Sequence, residues 1–312
     1  PGVRGVGLEP YAYDYAGSVP EVHVDAPDQL VGTPFVRLDG AKLFLHDYPT
    51  RLNSFVANED FVYVYCGTNP GSSLTLSNSG GYPCSFYGEF NGTLVKQDPD
   101  IATFSGLFQN GDLIVEKGLF DSTLVGGPWH TVVSAGAIVR SVPPNFFNFG
   151  ALSGSGTVHI AGNYNWVGGG ISPVINSTFT GTILGTNTGA TLLKTGPSVF
   201  TLAGPISQVS TTYVYNGTLV VNTVMTNPVS IVSVGPGNFP TLGGTGVVGH
   251  VTTTGVGPRI APGATASTPS YGKLTVASLN LGPGAALQAE LSGTNIGVNM
   301  DQLESTGGVN LA

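Results

Sequence analysis

The carboxylates that hydrolytic and metal-dependent chemistry requires are distributed unevenly along the chain. From Ser122 to Ala289 the sequence contains no Asp or Glu. This stretch therefore lacks a general acid, a general base, a calcium ligand and the third member of a catalytic triad. Glycosidases use a pair of such carboxylates. The composition predicts that this part of the protein is not an enzyme.

Residues 1–121 are richer in acidic and basic side chains. The segment Asp98-Pro99-Asp100 could supply calcium ligands, but no Asp-x-Asp-x-Asp-Gly loop completes a site. We interpret these acids as solvated surface charge, and we predict no metal, no cofactor and no catalytic residue. Four of the histidines are scattered without metal-ligand spacing: His23, His130, His159 and His250. The alternative is a carbohydrate-binding or polysaccharide-processing β-helix that uses the acids of this region and the aromatic residues between 146 and 166.

An aromatic cluster marks residues 141–180, where charge disappears. Ring faces pack on the apolar faces of sugars while amides bond to hydroxyl groups, so such a cluster can bind a glycan. Packing in a core or a loop is the competing interpretation. The candidate glycan contacts are Phe146, Phe147, Tyr164 and Trp166.

Two cysteines, Cys66 and Cys84, flank a loop rich in Gly, Ser and Asn. We predict a disulfide between them, with two buried free thiols as the alternative. Closing a loop of this length would stabilise the fold by about 3 kcal/mol in the chain-entropy model. A disulfide would also indicate an oxidising compartment.

Other sequence features bear on partners and location. The net charge is −8 with only 10 basic residues, which predicts no binding to nucleic acid. No apolar run approaches the roughly 20 residues of a membrane helix, so we expect no membrane insertion of this segment. Three Asn-x-Ser/Thr patterns are possible glycosylation sites: Asn91, Asn176 and Asn216.

The elements that must position these residues are short strands. The chain contains 47 Gly and only 9% charged residues, which favours strands and turns over helices with charged faces. Between Thr241 and Val276, Gly or Pro interrupts β-branched runs every few residues. We expect Thr253 on the outer side of these strands. The residues expected to face the core are Leu242, Val247, Val251, Ile260, Leu274 and Val276.

A series of phrases continues this pattern in the second half of the chain. They are LLKTGPSVFTLAG at 192–204, VYNGTLVV at 214–221, TLGGTGVVGHV from 241, LTVASLNLGPGAALQAEL at 274–291 and DQLESTGGVNL at 301–311. The order resembles the autotransporter-associated β-strand repeat of bacterial surface passengers, over about residues 178–312. Ser198 stands where the repeat has a second Gly, and residues 205–212 lack the usual turn sequence. The resemblance implies an all-β, right-handed parallel β-helix on a secreted surface protein.

The rest of the chain is assigned from the positions of its prolines and its Asn-Gly pairs. Residues 1–30 are rich in proline, which predicts an extended N-terminal arm, and residues 31–312 are predicted to form one solenoid. A β-sandwich or jelly roll is the alternative for the N-terminal half, because Asn-Gly turns also suit antiparallel hairpins.

These features favour a secreted, non-enzymatic cell-surface protein that serves as an adhesin or a filament subunit. The predicted partners are host or matrix glycans, or further copies of the chain in a head-to-tail homopolymer. In that polymer the segment 303–311 of one subunit would meet the segment 1–60 of the next. The residues expected to take part in assembly are Tyr11, Tyr13, Tyr15, Leu303, Val309 and Leu311.

Overall fold

A computed structural model describes most of the chain. No described residue is helical. The described residues divide into two compact units between Asn148 and Phe149. The described ranges are 21–25, 35–38, 41–52, 54–67, 72–77, 84–142, 147–162, 165–168, 174–263, 271–295 and 298–311.

The first unit is built from two sheets. Its strands are β1 (Glu21–His23), β2 (Phe35–Arg37), β3 (Lys42–Phe44), β4 (Thr50–Leu52), β5 (Ser54–Tyr65), β6 (Ser73–Leu76), β7 (Cys84–Asn91), β8 (Thr93–Lys96), β9 (Ile101–Gln109), β10 (Asp112–Val115), β11 (Leu119–Gly126), β12 (His130–Val133), β13 (Ile138–Ser141) and β14 (Phe147–Asn148). Odd-numbered strands from β1 to β13, with β2 beside β5, form the long-strand sheet, so named because it contains the longest strands, β5, β7, β9 and β11. The short-strand sheet contains β4, β6, β8, β10 and β12.

Parallel pairing shows that this unit is a solenoid. Leu113 pairs with Leu94 of the coil before it and with Thr131 of the coil after it, so the chain returns to the same sheet once in every coil. The strand pairs described within this unit are all parallel, and a jelly roll is built from antiparallel strands. The sandwich alternative for the N-terminal half is therefore wrong.

The core of the first unit contains a column of phenylalanine rings. Phe86, Phe104 and Phe120 are buried, and their ring centroids lie 5.0 and 5.1 Å apart in successive coils. Because successive coils pair in register, equivalent core positions lie above one another, and one residue type can fill the whole column. Offset stacking adds to the free energy gained from burying these rings.

The described part of the second unit has three sheets. Its strands are β15 (Ala151–Gly154), β16 (Thr157–Ile160), β17 (Asn165–Val167), β18 (Ser177–Phe179), β19 (Thr182–Gly185), β20 (Thr191–Lys194), β21 (Val199–Leu202), β22 (Ile206–Ser207), β23 (Thr211–Val214), β24 (Thr218–Val221), β25 (Val224–Met225), β26 (Val229–Val232), β27 (Thr241–Gly244), β28 (Val247–Thr254), β29 (Arg259–Pro262), β30 (Lys273–Leu281), β31 (Ala286–Leu287), β32 (Gln302–Ser305) and β33 (Val309–Leu311). One sheet contains β16, β19 and β22. Another runs from β15 through β18, β21, β24, β27 and β29 to β31. The third runs from β17 through β20, β23, β26, β28 and β30 to β32, with β25 on β28 and β33 on β30.

Aliphatic columns fill the core of the second unit. Leu219, Leu242 and Ile260 pair in register on adjacent strands, and all three are completely buried. Val251, Leu274 and Val276 are also buried. These positions confirm most of the predicted core and the all-β, parallel β-helix fold.

The predictions of which side of the strand Val247 and Thr253 face are wrong. Val247 is 40% exposed, whereas its neighbour Val248 is buried. The burial pattern of β28 breaks its alternation at Gly249, which is itself buried, so Val248 takes the core position. Thr253, expected on the outer side, is only 7% exposed, and its Oγ1 accepts a hydrogen bond from Gly282 N at 2.8 Å.

Candidate functional site

A groove of about 670 Å³ lies at a corner of the coils in the first unit. It forms where strands of the long-strand sheet end and strands of the short-strand sheet begin, in successive coils along the chain. Such a volume is typical of small-ligand sites. The lining residues are Tyr65, Gly67, Ser72, Asn91, Gly92, Thr93, Asn110, Gly111, Asp112 and Trp129.

Stacked glycines keep the corner free of side chains. Gly92 has φ of 125° and follows β7, and Gly111 occupies the matching corner one coil later. A Cβ added at Gly111 would overlap the carbonyl oxygen of Gly92, and a Cβ added at Gly92 would overlap the Cβ of Cys66. The two Asn-Gly pairs are thus coil corners rather than hairpin turns.

Two aromatic residues lie along the groove. Trp129 precedes β12, and its side chain is 43% exposed. Tyr65 ends β5 and is half-buried, with its ring stacked on Phe44 at a centroid distance of 5.0 Å. Burial raises the pKa of Tyr65, and the nearby charge of Glu89 adds to that shift. The indole is therefore partly accessible to a ligand, and the Tyr65 phenol is held in place by the ring of Phe44.

Amides, hydroxyl groups and one carboxylate supply the polar part of the lining. Asn91 and Asn110 contribute amides, and the Oγ1 of Thr93 accepts a hydrogen bond from Asp112 N at 3.4 Å. Burial raises the pKa of the Asp112 carboxyl, an effect that neighbouring His130 opposes. Burial also disfavours the charged form of His130 and therefore lowers its pKa. His130 pairs with Asp112 in register.

Carboxylates are few around the groove. Asp112 is the only carboxylate among the described residues that line it, and the Asp47 carboxylate lies behind the lining, where its Oδ1 accepts a hydrogen bond from Ser72 Oγ at 3.5 Å. Retaining and inverting glycosidases need two carboxyl groups about 5 to 10 Å apart. The lining thus combines a partly exposed ring with amides and hydroxyl groups.

The aromatic cluster predicted from the sequence does not form this groove. Phe147 is 1% exposed and belongs to the core, so it cannot stack on a sugar from outside. Trp166 lies on β17 and is half-buried. Phe146 and Tyr164 lie outside the described residues. The sequence did contain a signal for the groove, since Asn91-Gly92 and Asn110-Gly111 are one coil apart.

The predicted disulfide is wrong for this structure, in which Cys66 and Cys84 are both free and buried. Cys84 is the first residue of β7, whereas Cys66 lies beside Gly92, just past the other end of that strand. The length of β7 separates these ends, which is about 26 Å at about 3.3 Å per residue. A disulfide requires Cα atoms about 4.4 to 6.8 Å apart.

The possible glycosylation sites differ in exposure. Asn176 is exposed, and its Oδ1 accepts a hydrogen bond from Val199 N at 2.8 Å. Asn216 is half-buried, and its Oδ1 accepts from Gly217 N at 2.7 Å. Asn91 is half-buried and lines the groove. Glycosylation of any of them stays a prediction.

The predicted assembly residues lie on strands that pair on one side. Leu303 is half-buried on β32, and Val309 and Leu311 are 52% and 69% exposed on β33. Both strands pair with β30, and within the described ranges no further strand adds to them. Tyr11, Tyr13 and Tyr15 lie outside the described residues.

One acidic residue is not the solvated charge that the sequence predicts. Asp98 is 2% exposed and lies beside the buried amine of Lys96. The second unit holds another buried lysine, Lys194, whose Nζ donates hydrogen bonds to backbone oxygens. Neither buried lysine was predicted from the sequence, because a long polar side chain is rarely assigned to a core unless the turn that receives it is known.

Comparisons with protein-family models, with curated proteins and with solved structures gave no match. The parallel β-solenoid is compatible with a passenger-type domain. Only the repeat phrases of the sequence support a resemblance to that family. The described part of the chain has no helix that could cross a bilayer.

Proposed function

We propose that this protein is a secreted, non-enzymatic surface adhesin in which a β-helix presents a carbohydrate-binding groove. The observation that carries the proposal is the exposed indole of Trp129 beside a groove lined by amides, hydroxyl groups and a single carboxylate. The resemblance of the second half to surface passengers favours the same setting.

Each part of the lining has a counterpart in a sugar. The Trp129 ring can pack against the apolar face of a pyranose, and Asn91 and Asn110 can bond to its hydroxyl groups. The corner glycines let successive coils pack closely, which brings Asn91 and Asn110 of neighbouring coils to the same groove. The rigid coil stack holds these groups in place before binding, which lowers the ordering penalty of association.

A glycan array followed by calorimetry tests this function. The full chain is screened first, and the best glycan is then titrated into Trp129→Ala and Asn110→Ala. We expect Trp129→Ala to weaken binding about tenfold, which corresponds to about 1.4 kcal/mol. Trp166→Ala is the matched control, since Trp166 belongs to the aromatic cluster predicted from the sequence and does not line the groove.

The outcomes separate the alternatives. Loss of binding with Trp166→Ala and not with Trp129→Ala would return the site to the aromatic cluster. An absence of binding to every glycan would contradict the adhesin proposal. Turnover of a polysaccharide that is lost in Asp112→Asn would favour the processing alternative instead.

Self-assembly is a second candidate function, and exposed apolar residues near the edge strands favour it. Leu287, Leu291 and Leu311 are 50%, 71% and 69% exposed. Strand edges with apolar side chains are templates for pairing with another chain. A second copy of this chain, bound through its N-terminal segment 1–60, would be a heterologous contact that extends into a filament.

Sedimentation velocity tests the assembly. We expect species larger than a monomer that shrink after deletion of residues 1–30 and after Leu311→Asp. Ser305→Asp, a polar replacement on neighbouring β32, serves as the control for added charge. A strictly monomeric profile of the intact chain at high concentration would rule the idea out.

A further inference from the structure

The first coils of the first unit carry a row of outward side chains in two layers. Strand β1 pairs in parallel with β3, so that Glu21 lies beside Lys42 and His23 beside Phe44. Continuing this register past the end of both strands places Asp25 beside His46. Alternate residues of a strand share a face, so these groups all point away from the core.

Two imidazoles and a carboxylate converge at the end of this row. The Nδ1 of His23 lies 2.7 Å from the Nε2 of His46. That Nε2 lies 3.6 Å from Oδ1 of Asp25. One possible ligand atom from each of the three residues falls within 4.8 Å of the others.

Stacking on Phe44 holds the ring of His23, with a centroid distance of 4.9 Å and an interplanar angle of 12°. The ring of His46 lies nearly coplanar with that of His23 and meets it edge to edge, with a centroid distance of 5.0 Å and an interplanar angle of 17°. Phe44 stacks in turn on Tyr65 of the next coil at 5.0 Å. His46 has φ of 44°, in the left-handed region, and its backbone turns away from the strand there.

A second carboxylate supports the first imidazole. Glu21 Oε2 lies 3.4 Å from the Nε2 of His23, the ring nitrogen that does not face His46. Glu21 is itself fixed by Lys42 Nζ at 3.1 Å, and the hydrogen bond from Lys42 lowers the pKa of Glu21. A carboxylate that accepts from the remote nitrogen of a histidine is a common supporting contact at metal sites, because it sets the tautomer and raises ligand basicity.

We propose that His23, His46 and Asp25 form a binding site for a divalent transition-metal ion, with zinc as the preferred metal. Two imidazole nitrogens and one carboxylate oxygen are a frequent zinc ligand set, and three protein ligands leave a fourth position open. Nitrogen ligands exclude calcium and magnesium, which prefer oxygen. The open position can take water or a ligand atom from another molecule.

Tetrahedral zinc requires the short imidazole contact to open and the three ligand atoms to become evenly spaced. Ligand atoms about 2.05 Å from a tetrahedral ion lie about 3.4 Å from one another. The observed separations are 2.7 Å between the imidazole nitrogens, 3.6 Å from His46 to Asp25, and at most 4.8 Å from His23 to Asp25. The histidine side chains are 40% and 44% exposed, and the ring rotation that opens the short distance changes their contacts with each other and with Phe44.

The metal ligands do not line the proposed carbohydrate groove, although the ring stack of His23 and Phe44 reaches Tyr65 at the edge of the groove. Metal binding can therefore be measured with no glycan present, and its failure would leave the adhesin proposal untouched.

Calorimetric titration of the full chain with zinc chloride in a non-chelating buffer tests the site. We expect one zinc ion per chain, and a loss of affinity of at least a hundredfold in His46→Asn. Asparagine tolerates the left-handed backbone at this position, so the variant keeps the turn while it removes the imidazole. Asp25→Asn is expected to weaken binding, and Glu21→Gln to weaken it about 10- to 100-fold, as at other metal sites that lose a supporting contact.

His250→Ala is the control, because His250 is an exposed histidine in the second unit whose Nδ1 lies 2.5 Å from Ser278 Oγ. It is expected to bind zinc as the unmodified chain does. Circular dichroism of each variant checks the fold, and His23→Gln replaces any variant that unfolds. Cobalt(II) in place of zinc is expected to give the intense visible absorption of a tetrahedral ion. An absence of zinc binding, equal binding by a His23→Gln/His46→Asn double variant, or a cobalt spectrum like that of the aqueous ion would overturn the proposal.

Discussion

The amine of Lys96 lies 3.1 Å from Oδ1 of Asp98, and both side chains are buried in the first unit. The same Nζ donates to the backbone oxygens of Asp98 at 2.7 Å and of Lys117 at 3.0 Å. Oδ1 of Asp98 also accepts from Asp100 N at 3.0 Å. The pair therefore ties the turn after β8 to the turn of the next coil, although the described residues give Asp98 Oδ2 no partner.

Removing one member of this pair is expected to destabilise the first unit strongly. Lys96→Met leaves the Asp98 carboxylate buried without its cation, and such a loss costs about 3 to 5 kcal/mol. Urea denaturation followed by circular dichroism measures the change. Lys117→Met is the control, since its side chain is exposed and only its backbone oxygen takes part. Equal midpoints for the two variants would contradict the expected role of the pair.

Lys194 is a second buried lysine, and the partners of its amine differ from those of Lys96. Its Nζ donates to the backbone oxygens of Thr195 and Gly196, each at 2.8 Å, and of Asn216 at 3.0 Å. This lysine thus also joins its own turn to the turn of the next coil. Burial lowers the pKa of Lys194 to about 7.

The lowered pKa predicts a pH dependence of stability. Between about pH 7 and the ordinary lysine pKa near 10.4, the unfolded chain holds a proton on Lys194 that the folded chain does not. Unfolding then takes up a proton, so the free energy of unfolding rises with pH in this window, by up to about 1.4 kcal/mol per pH unit. Below pH 7 both states are protonated and this contribution to the slope vanishes.

Subtracting the unfolding free energy of Lys194→Met from that of the unmodified chain isolates this contribution, because the other titrating groups cancel. The difference is expected to be flat below pH 7 and to rise above it. A difference that does not change between pH 7 and pH 9 would show that the folded amine keeps its proton.

The thiols are expected to be inert in the folded protein. Burial raises the pKa of Cys66 to about 12 and also raises the pKa of Cys84. Since the thiolate is the reactive form, a thiol reagent should find almost no reactive group in the folded chain and two equivalents after denaturation without reductant. If the denatured, unreduced chain shows no thiols, the disulfide predicted from the sequence is present.

The sequence predicts the fold well because the solenoid repeats its own pattern. Apolar runs that recur in each coil assign Leu242 and Ile260 to the core. Because the coils stack in register, these residues belong to one continuous column. Val247 fails for a local reason: the alternation shifts at Gly249 within a single strand. No pattern of alternating residues signals such a shift, because a glycine can permit it without requiring it.

The candidate sites are harder to predict because they depend on the coil length. The separation of Asp25 from His46 along the chain equals the offset between β1 and β3, and the two residues become neighbours only once that offset is known. The disulfide prediction fails for the same reason. Cys66 and Cys84 are close in the chain, but the intervening coil places them at opposite ends of adjacent strands.

The last prediction concerns the corner that forms the groove. Gly111 has no side chain because a Cβ there would overlap the backbone of Gly92, and backbone atoms of a paired coil cannot move aside as a flexible side chain can. Gly111→Ala is therefore expected to destabilise the first unit by about 1 to 3 kcal/mol and to weaken glycan binding, since the corner must open. At Gly235, in a turn of the second unit, an added Cβ meets nothing within 4 Å. Gly235→Ala should stay within about 0.5 kcal/mol of the unmodified chain in urea denaturation. If both variants unfold at the same urea concentration, close stacking of the glycine corners is not what shapes the groove.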